Sequence, residues 1–473
     1  MTYIMAENEL GGGAGGRIDM TEGGIRLPVA ARLPHHPMNL FQSYQSARRN
    51  ILEIIPQDAL HMPILSGRTG PQRWHMVMDP AAIRRVLLEA VDQYPKSDAT
   101  KNILRPAIGE SLFVAEGDHW RWQRRAAAPA FSARNVTALT PVMTRAAEAA
   151  CARIAATRGR RAINMVDEMV ATTFDVIADV TLSDPDGIDR AEVSRALDAY
   201  IDRAARVSVL DVIGAPDWVP RPGRQAAVQD LAHMQSAMDR AISARQTSAK
   251  GDRLDLLDLL LGAADPETGR QMNVGELREN LLTFIVAGHE TTALSLAWAL
   301  YLCAFDPAVQ DAACTEARGV LDGRAATAED VANLPLVRRI IQETLRLYPP
   351  GGFLSRTARA EDQLAGARIG EGDTVMIPVY GLHRHRQLWR DPDAFRPDRW
   401  AGKQAVDRYQ YLPFGDGPRI CIGASFAMQE AVVILATLLS RFRFRSVRGR
   451  DPYPVMILTL RPEGGVWLEV ERV

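Results

Sequence analysis

From Asn273 to Phe305 the chain carries one continuous helical pattern, and no other stretch restricts its possible folds as strongly. Asn273-Val274-Gly275-Glu276 reads as a capping box, in which the Asn273 and Glu276 side chains satisfy backbone N–H groups reciprocally. Asp306-Pro307 closes the run. At 1.5 Å per residue the helix would be roughly 50 Å long, enough to cross a whole domain. Between Leu281 and Ala287 it is apolar on nearly all sides, so it belongs inside the molecule. A polar cluster follows at once: Ala287-Gly288-His289-Glu290-Thr291-Thr292. Gly288 weakens the helix, and the Thr291 hydroxyl can compete for the Ala287 carbonyl four residues back. Together they predict a kink with room for water or dioxygen.

The second constraint is Phe414-Gly415-Asp416-Gly417-Pro418-Arg419-Ile420-Cys421-Ile422-Gly423. It sets one cysteine in a glycine-tightened loop, before an apolar helix pattern from Ala424 to Leu439. Backbone N–H groups and a helix N-terminus both favour a thiolate there. The glycines let backbone approach a flat, bulky partner, and Arg419 suits a carboxylate at that partner's edge. A thiolate, an anion clamp and a flat cofactor describe haem iron held by sulfur. The stretch resembles the haem-binding signature of the cytochromes P-450, Phe-x-x-Gly-x-Arg-x-Cys-x-Gly. That resemblance implies Cys421 as the axial iron ligand and Arg419 as a propionate partner, with Phe414, Gly415 and Gly423 forming the cradle.

Other motifs of this family recur in order from about residue 36 onward. Trp120 and Arg124, spaced i, i+4 after Gly117, are similar to its Trp-x-x-x-Arg helix, in which both side chains bond a propionate; His119 and Arg125 are adjacent alternatives. The cluster around Glu290 and Thr291 resembles Ala-Gly-x-(Asp/Glu)-Thr-Thr, implying that Thr291 holds bound oxygen and an ordered water while Glu290 connects to solvent protons. Ala287 would lie against the cofactor, and His289 is the variable position and not an iron ligand. Glu343 and Arg346 look like the Glu-x-x-Arg pair, with Arg399 in Phe395-Arg396-Pro397-Asp398-Arg399-Trp400 as the structural third member. The family commonly has Glu and Phe where this chain has Asp398 and Trp400. Arg356 matches a strand arginine that reaches a second propionate. Phe284, Ala287, Phe353 and Leu354, with Gly351, Gly352 and the Tyr94–Glu116 segment, would line an apolar substrate pocket.

Composition narrows the rest. The 473 residues carry a net charge of −1, which offers no global pull towards nucleic acid or an anionic membrane surface. Cys151, Cys303 and Cys314 lie in helical patterns without ligand spacing, so this is no disulfide framework and a reducing compartment fits. No stretch approaches 18 uninterrupted apolar residues, so no membrane span is expected, and the N-terminus lacks a signal pattern. Gly11-Gly12-Gly13-Ala14-Gly15-Gly16 matches a dinucleotide loop formally, but without a preceding strand or following apolar helix it reads as part of a flexible tail over residues 1–30.

Helical patterns are predicted from Met38 to Ile55, Asp79 to Ala90, Val136 to Thr157, Met165 to Thr181, Arg190 to Val207 and Gln225 to Gln246, with Pro216, Pro220 and Pro222 breaking the chain before the last. Strand patterns fall at His61–Leu65, Arg73–Met78, Phe353–Arg359 and Thr374–Val379. Ser66–Gly70 reads as a turn and Tyr94–Glu116 as a long irregular loop. Motifs that cooperate from Gly117 to Gly423 must converge in one unit, so residues 31–473 are expected to form one domain, against the length prior of about three.

The resemblance implies a mainly α fold with small β sheets, haem b (iron protoporphyrin IX) between the long helix and the cysteine loop, and monooxygenase chemistry: electrons, O2 and an apolar small molecule give a hydroxylated product. With no flavin or iron–sulfur module after Cys421, NAD(P)H would act only indirectly, through a ferredoxin or flavodoxin and its reductase, in a cytoplasmic bacterial setting. Two other readings stay open: a haem-thiolate enzyme that uses peroxide or rearranges hydroperoxides, and a non-catalytic haem sensor.

Overall fold

The computed structural model describes residues 21–22, 25–35, 38, 45–46, 49–70, 72–157, 162–182, 224–247, 255–402 and 406–473. Most of residues 1–30, the pattern Arg190–Val207, the three prolines after it and part of Met38–Ile55 lie outside these. The described end of that last pattern is a single 3-10 turn, Ile51–Ile54, capped by the Asn50 side chain.

The long helix spans Val274–Phe305, 32 residues, with the expected capping box at Asn273 and Glu276. It runs without interruption, so the predicted kink is not a break: Gly288 and Thr291 are accommodated inside continuous helix. Its buried residues face every direction over the second half, from Ala293 to Ala304. Helices wrap it accordingly, with Met165–Leu182, Arg224–Thr247, Pro335–Leu347 and Ala424–Arg441 all packed against it. This helix is the axis of the core, and the cysteine helix Ala424–Arg441 lies alongside Ala133–Ala156 and Pro307–Leu321.

Ala424–Arg441 is the one described helix long and apolar enough to cross a membrane, but 61% of it is buried within the protein. Its hydropathy is that of a core helix, and it carries the buried Glu430.

The largest sheet has four strands in the order Ile64–Thr69, Gln72–Val77, Thr374–Ile377, Leu354–Thr357, with only the central pair parallel. Ser66–Thr69 is therefore strand and not turn. Ser66 pairs with His75, and the reversal comes only at Gly70, whose φ of +60° suits glycine. The Tyr94–Glu116 segment is also more ordered than its weak periodicity suggests. It holds a helix, Asp98–Ile108, begun by a Ser97 side-chain cap and carrying Pro106 within it. Its cap was legible; the proline concealed the remainder.

Candidate active site

Thirteen of the residues singled out in the sequence line one cavity of about 390 Å3: Cys421, Arg419, Trp120, Arg124, Arg356, Phe414, Gly415, Gly423, Ala287, Thr291, Phe284, Phe353 and Leu354. The long helix contributes to its wall through Thr283, Phe284, Ala287, Gly288, Thr291, Thr292 and Ser295, and the cysteine loop contributes through Phe414 to Gly423 except Gly417 and Pro418. Phe284 is fixed by an edge-to-face contact with Phe131, ring centroids 5.1 Å apart. The Tyr94–Glu116 segment contributes Lys96, Thr100, Leu112 and Phe113, as the pocket expectation required.

Cys421 is held by its own loop. Its N–H donates to the Phe414 carbonyl at 2.9 Å, closing a turn around Gly415 and Gly417. The surface Cys421 exposes belongs to the cavity wall. Burial raises its pKa, opposed by the Gly423 N–H and by the charges of Arg124 and Lys96. Gly417 has φ +73°, and a Cβ there would sit 2.0 Å from the Leu87 carbonyl oxygen. That glycine therefore serves backbone packing. Gly423 differs: it lines the cavity, and a Cβ there would meet no protein atom within 4 Å.

The cavity is rich in positive charge along its wall, with Lys96, Arg356 and Arg419 close enough to influence one another. Arg124, Arg356, Arg419 and Lys96 all face it, and burial lowers the pKa of each. For Arg356, burial and the neighbouring Arg419 bring the value to about 10. Lys96 is pulled well below its ordinary value, first by burial and then by Arg356 and Arg419. Its ammonium donates to the Phe113 carbonyl at 2.6 Å and lies 3.5 Å from that ring's centre. Glu116 partly offsets these cations, pairing with Arg419 and accepting from the Lys96 N–H at 2.9 Å. Arg419 also stacks over Trp120, 4.3 Å from its ring centre. Buried Arg356 and partly exposed Arg124, Arg419 and Lys96 share the single carboxylate of Glu116, which leaves basic groups that a dianionic, flat molecule would satisfy. The donors present thus fit a porphyrin, whose propionates the basic groups would hold and whose metal the sulfur would bind. The adjacent alternatives point elsewhere: Arg125 pairs with Asp265 at 2.7 Å, and His119 bonds Trp122 and Gln123.

The long helix supplies the hydroxyl and the acid in different directions. Thr291 Oγ1 donates to the Ala287 carbonyl at 2.8 Å, the back-bond its spacing predicts, and faces the cavity. Glu290 is not among the lining residues. Its carboxylate accepts from Thr459 Oγ1 at 2.8 Å and Arg461 Nε at 2.5 Å on the C-terminal hairpin. The Arg461 side chain is 39% exposed, so this pair reaches the surface. His289 is buried off the cavity, its Nδ1 2.9 Å from the Ile285 carbonyl oxygen and its ring against Phe174.

Behind the cysteine loop, Glu343 and Arg346 are wholly buried in a two-pronged contact of 2.8 and 2.9 Å, with Arg399 3.2 Å from the same carboxylate. Trp400 Nε1 donates to its other oxygen at 2.9 Å, which explains a tryptophan at that position. Arg346 then donates to the carbonyls of His383, Pro392 and Ala394. His383, its pKa pushed down to about 3 by burial and by Arg346, accepts the Leu412 N–H at 2.8 Å through Nε2. The ion pair thereby reaches the residue two before Phe414. Lys96, Glu116, His383, Thr459 and Arg461 were not picked out by sequence motifs. Lys96 alone carried a signal, as one of only four lysines in an arginine-rich chain.

Comparison with known proteins agrees with this geometry. A family model, cytochrome P-450, matches residues 35–469. The chain is 34% identical over 421 residues to "Cyclooctatin synthase" of Streptomyces melanosporofaciens, covering 88% of this chain and 90% of that one. It is 33% identical over 407 residues to "Cyclooctat-9-en-7-ol 5-monooxygenase" of the same organism, covering 85% and 86%. To "Cytokinin hydroxylase" of Arabidopsis thaliana it is 31% identical over 381 residues, covering 76% and 71%.

The chain belongs to the cytochrome P-450 family. It is a haem-thiolate monooxygenase that hydroxylates with O2 and electrons from redox partners.

Proposed function

We propose that Cys421 ligates the iron of haem b, that Arg124, Arg356, Arg419, Lys96 and Trp120 hold its propionates, and that Phe284, Phe353 and Leu354 shape the site for an apolar substrate. The carrying observation is the cavity itself: the Cys421 thiol and Thr291 line it together with Lys96, Arg124, Arg356 and Arg419. The bound haem supplies dioxygen reduction, with thiolate electron donation favouring O–O cleavage. The protein's part is to keep the pocket dry, hold the substrate on the long-helix side of the cavity, away from the sulfur, and bring protons to Thr291 Oγ1. Glu290, anchored by Thr459 and Arg461, links that helix turn to the surface.

In this reading residues 31–473 form a single catalytic domain, and NAD(P)H reaches it only through a ferredoxin or flavodoxin and its reductase in the cytoplasm. The relative named for cyclooctat-9-en-7-ol makes that compound the first to try as substrate. The test is a substrate-induced spin-state shift followed by reductant-dependent oxygen consumption with a surrogate redox partner. Turnover driven by peroxide alone would favour the peroxide-using alternative, and no turnover at all would favour a sensor.

Two variants probe the roles. Thr291→Ala is expected to divert reductant into peroxide while dioxygen is still consumed; fully coupled turnover would remove Thr291 from proton delivery. Lys96→Met is expected to speed haem loss to an apo-acceptor protein by about tenfold, the equivalent of one charge-assisted bond of roughly 1.4 kcal/mol. Unchanged retention would mean that Lys96 serves only Phe113.

A further inference from the structure

By its place in the motif Gly288 leaves room beside Thr291, yet in the fold a side chain from another helix fills that room. A Cβ at position 288 would lie 3.2 Å from Ile177 Cδ1 and 3.5 Å from Ile177 Cγ1. Ile177 belongs to the helix Met165–Leu182, is 7% exposed, and lines the cavity together with Gly288 and Thr291. No motif singles it out, because it is one apolar residue in a helix rich in them.

Its neighbours hold it in place. One turn earlier on the same face, the Thr173 hydroxyl donates to the His289 carbonyl oxygen at 2.8 Å. Phe174 meets the His289 ring edge-to-face, with centroids 5.8 Å apart. His289 follows Gly288 directly, so these contacts fix the spacing of the two helices at the turn that Ile177 abuts. Thr173, Val176 and Ala178 are buried too. Packed core therefore backs the Ile177 side chain, and its free face is the cavity.

We propose that Ile177 is a specificity-determining residue: with Gly288 it sets the width of the cavity at the turn of the long helix just before Thr291. This rests on the monooxygenase reading, in which the substrate binds in this cavity. Positions 177 and 288 share one volume, and the glycine is required because the isoleucine reaches across to it. An apolar substrate lying against this turn is flat or unbranched there. A branched carbon would need the space that Cδ1 occupies, and in a densely packed site one methyl group is enough to discriminate.

The haem-loaded protein, titrated with imidazole, flat 4-phenylimidazole and branched 4-tert-butylimidazole, tests this through the absorption shift of nitrogen ligation. The quantity read is the ratio of dissociation constants, branched probe over flat probe. A ratio discounts any general loss of haem affinity or stability in a variant. Ile177→Val removes only Cδ1 and is expected to lower the ratio by about tenfold, with Ile177→Ala lowering it further. Gly288→Ala is expected to raise it, because the added methyl pushes Ile177 towards its one free face. The double variant Ile177→Val with Gly288→Ala should return close to the parent value, the new methyl refilling the space that Cδ1 leaves. An unchanged ratio in Ile177→Val overturns the proposal, and so does a double variant that keeps the whole gain of Ile177→Val. The valine variant decides the matter if the alanine variant does not fold, since it deletes a single methyl. Imidazole itself keeps the two ideas separable. No nitrogen-ligation shift with imidazole in the parent protein would refute the haem-thiolate reading and this inference with it. A normal shift beside an unchanged ratio refutes only the role of Ile177.

Discussion

Glu343→Gln is expected to yield little or no haem-loaded protein. The Glu343 carboxylate receives Arg346 through two bonds, then Arg399, the Trp400 indole and the Arg396 N–H. Glutamine keeps the shape and removes the charge, so the wholly buried Arg346 loses its counter-ion. Breaking a buried pair from one side costs about 3–5 kcal/mol, a large share of the 5–15 kcal/mol that holds typical proteins folded. The damage is also directional. Arg346 holds the carbonyls around His383, His383 holds Leu412, and Leu412 leads into the cysteine loop, so the sulfur loses its placement along with the fold its stability. Thermal unfolding and haem content of the purified variant check this; an unchanged midpoint with full haem loading would reduce the pair to a passive contact.

The same carboxylate sets an acid limit. Burial alone would raise its pKa, but the charge and hydrogen bonds of Arg346, with Arg399 behind them, hold it below the usual glutamate value. A folded pKa below the unfolded one means stability that is fully present above the ordinary glutamate range and lost as pH falls through the folded value. Acid unfolding should begin below about pH 4.5 in the parent protein.

What the sequence disclosed was chemistry that depends on local spacing. The cap at Asn273, the Thr291 back-bond to Ala287 and the Trp120–Arg124 helix face are all fixed within a few residues, and each stands where its spacing puts it. What it concealed depends on contacts between distant segments. Nothing near Lys96 announces that its ammonium will be close to Arg356 and Arg419, because they lie 260 and 323 positions later in the chain and only an isolated bridge from Lys96 to Arg356 and the fold around it bring them near. Glu290 reads locally as the link to solvent protons, but its partner Arg461 lies 171 positions later and could not be foreseen from the motif. By spacing alone Glu343 and Arg346 would be an ordinary surface pair one helical turn apart; the resemblance gave them a structural role, and the contacts with Pro392, Ala394 and Trp400 show the pair buried and costly to break. The missed helix Asp98–Ile108 is a different failure, since Pro106 interrupts the pattern without interrupting the helix.

Cys421→Ala should abolish the red-shifted Soret band of the reduced carbon monoxide complex and remove monooxygenase turnover together with it. No other thiol can substitute: Cys151, Cys303 and Cys314 are buried, and none lines the cavity. Nor does an imidazole among the described residues line the cavity: His289 and His119, each next in sequence to a lining residue, are turned to Ile285 and Phe174 and to Trp122 and Gln123 respectively. The cations that would hold the propionates remain in the variant, so haem is expected to bind while the thiolate signature disappears. Retention and ligation therefore separate in one experiment. Cys421→His sharpens it, since haem bound in that variant should show nitrogen-type ligation. The consequence for catalysis follows from the sulfur's role: without a thiolate to donate electron density, O–O cleavage loses its driving push, and whatever dioxygen is reduced leaves as peroxide. An undiminished thiolate band in Cys421→Ala would place the iron on a different residue and undo the assignment of this loop.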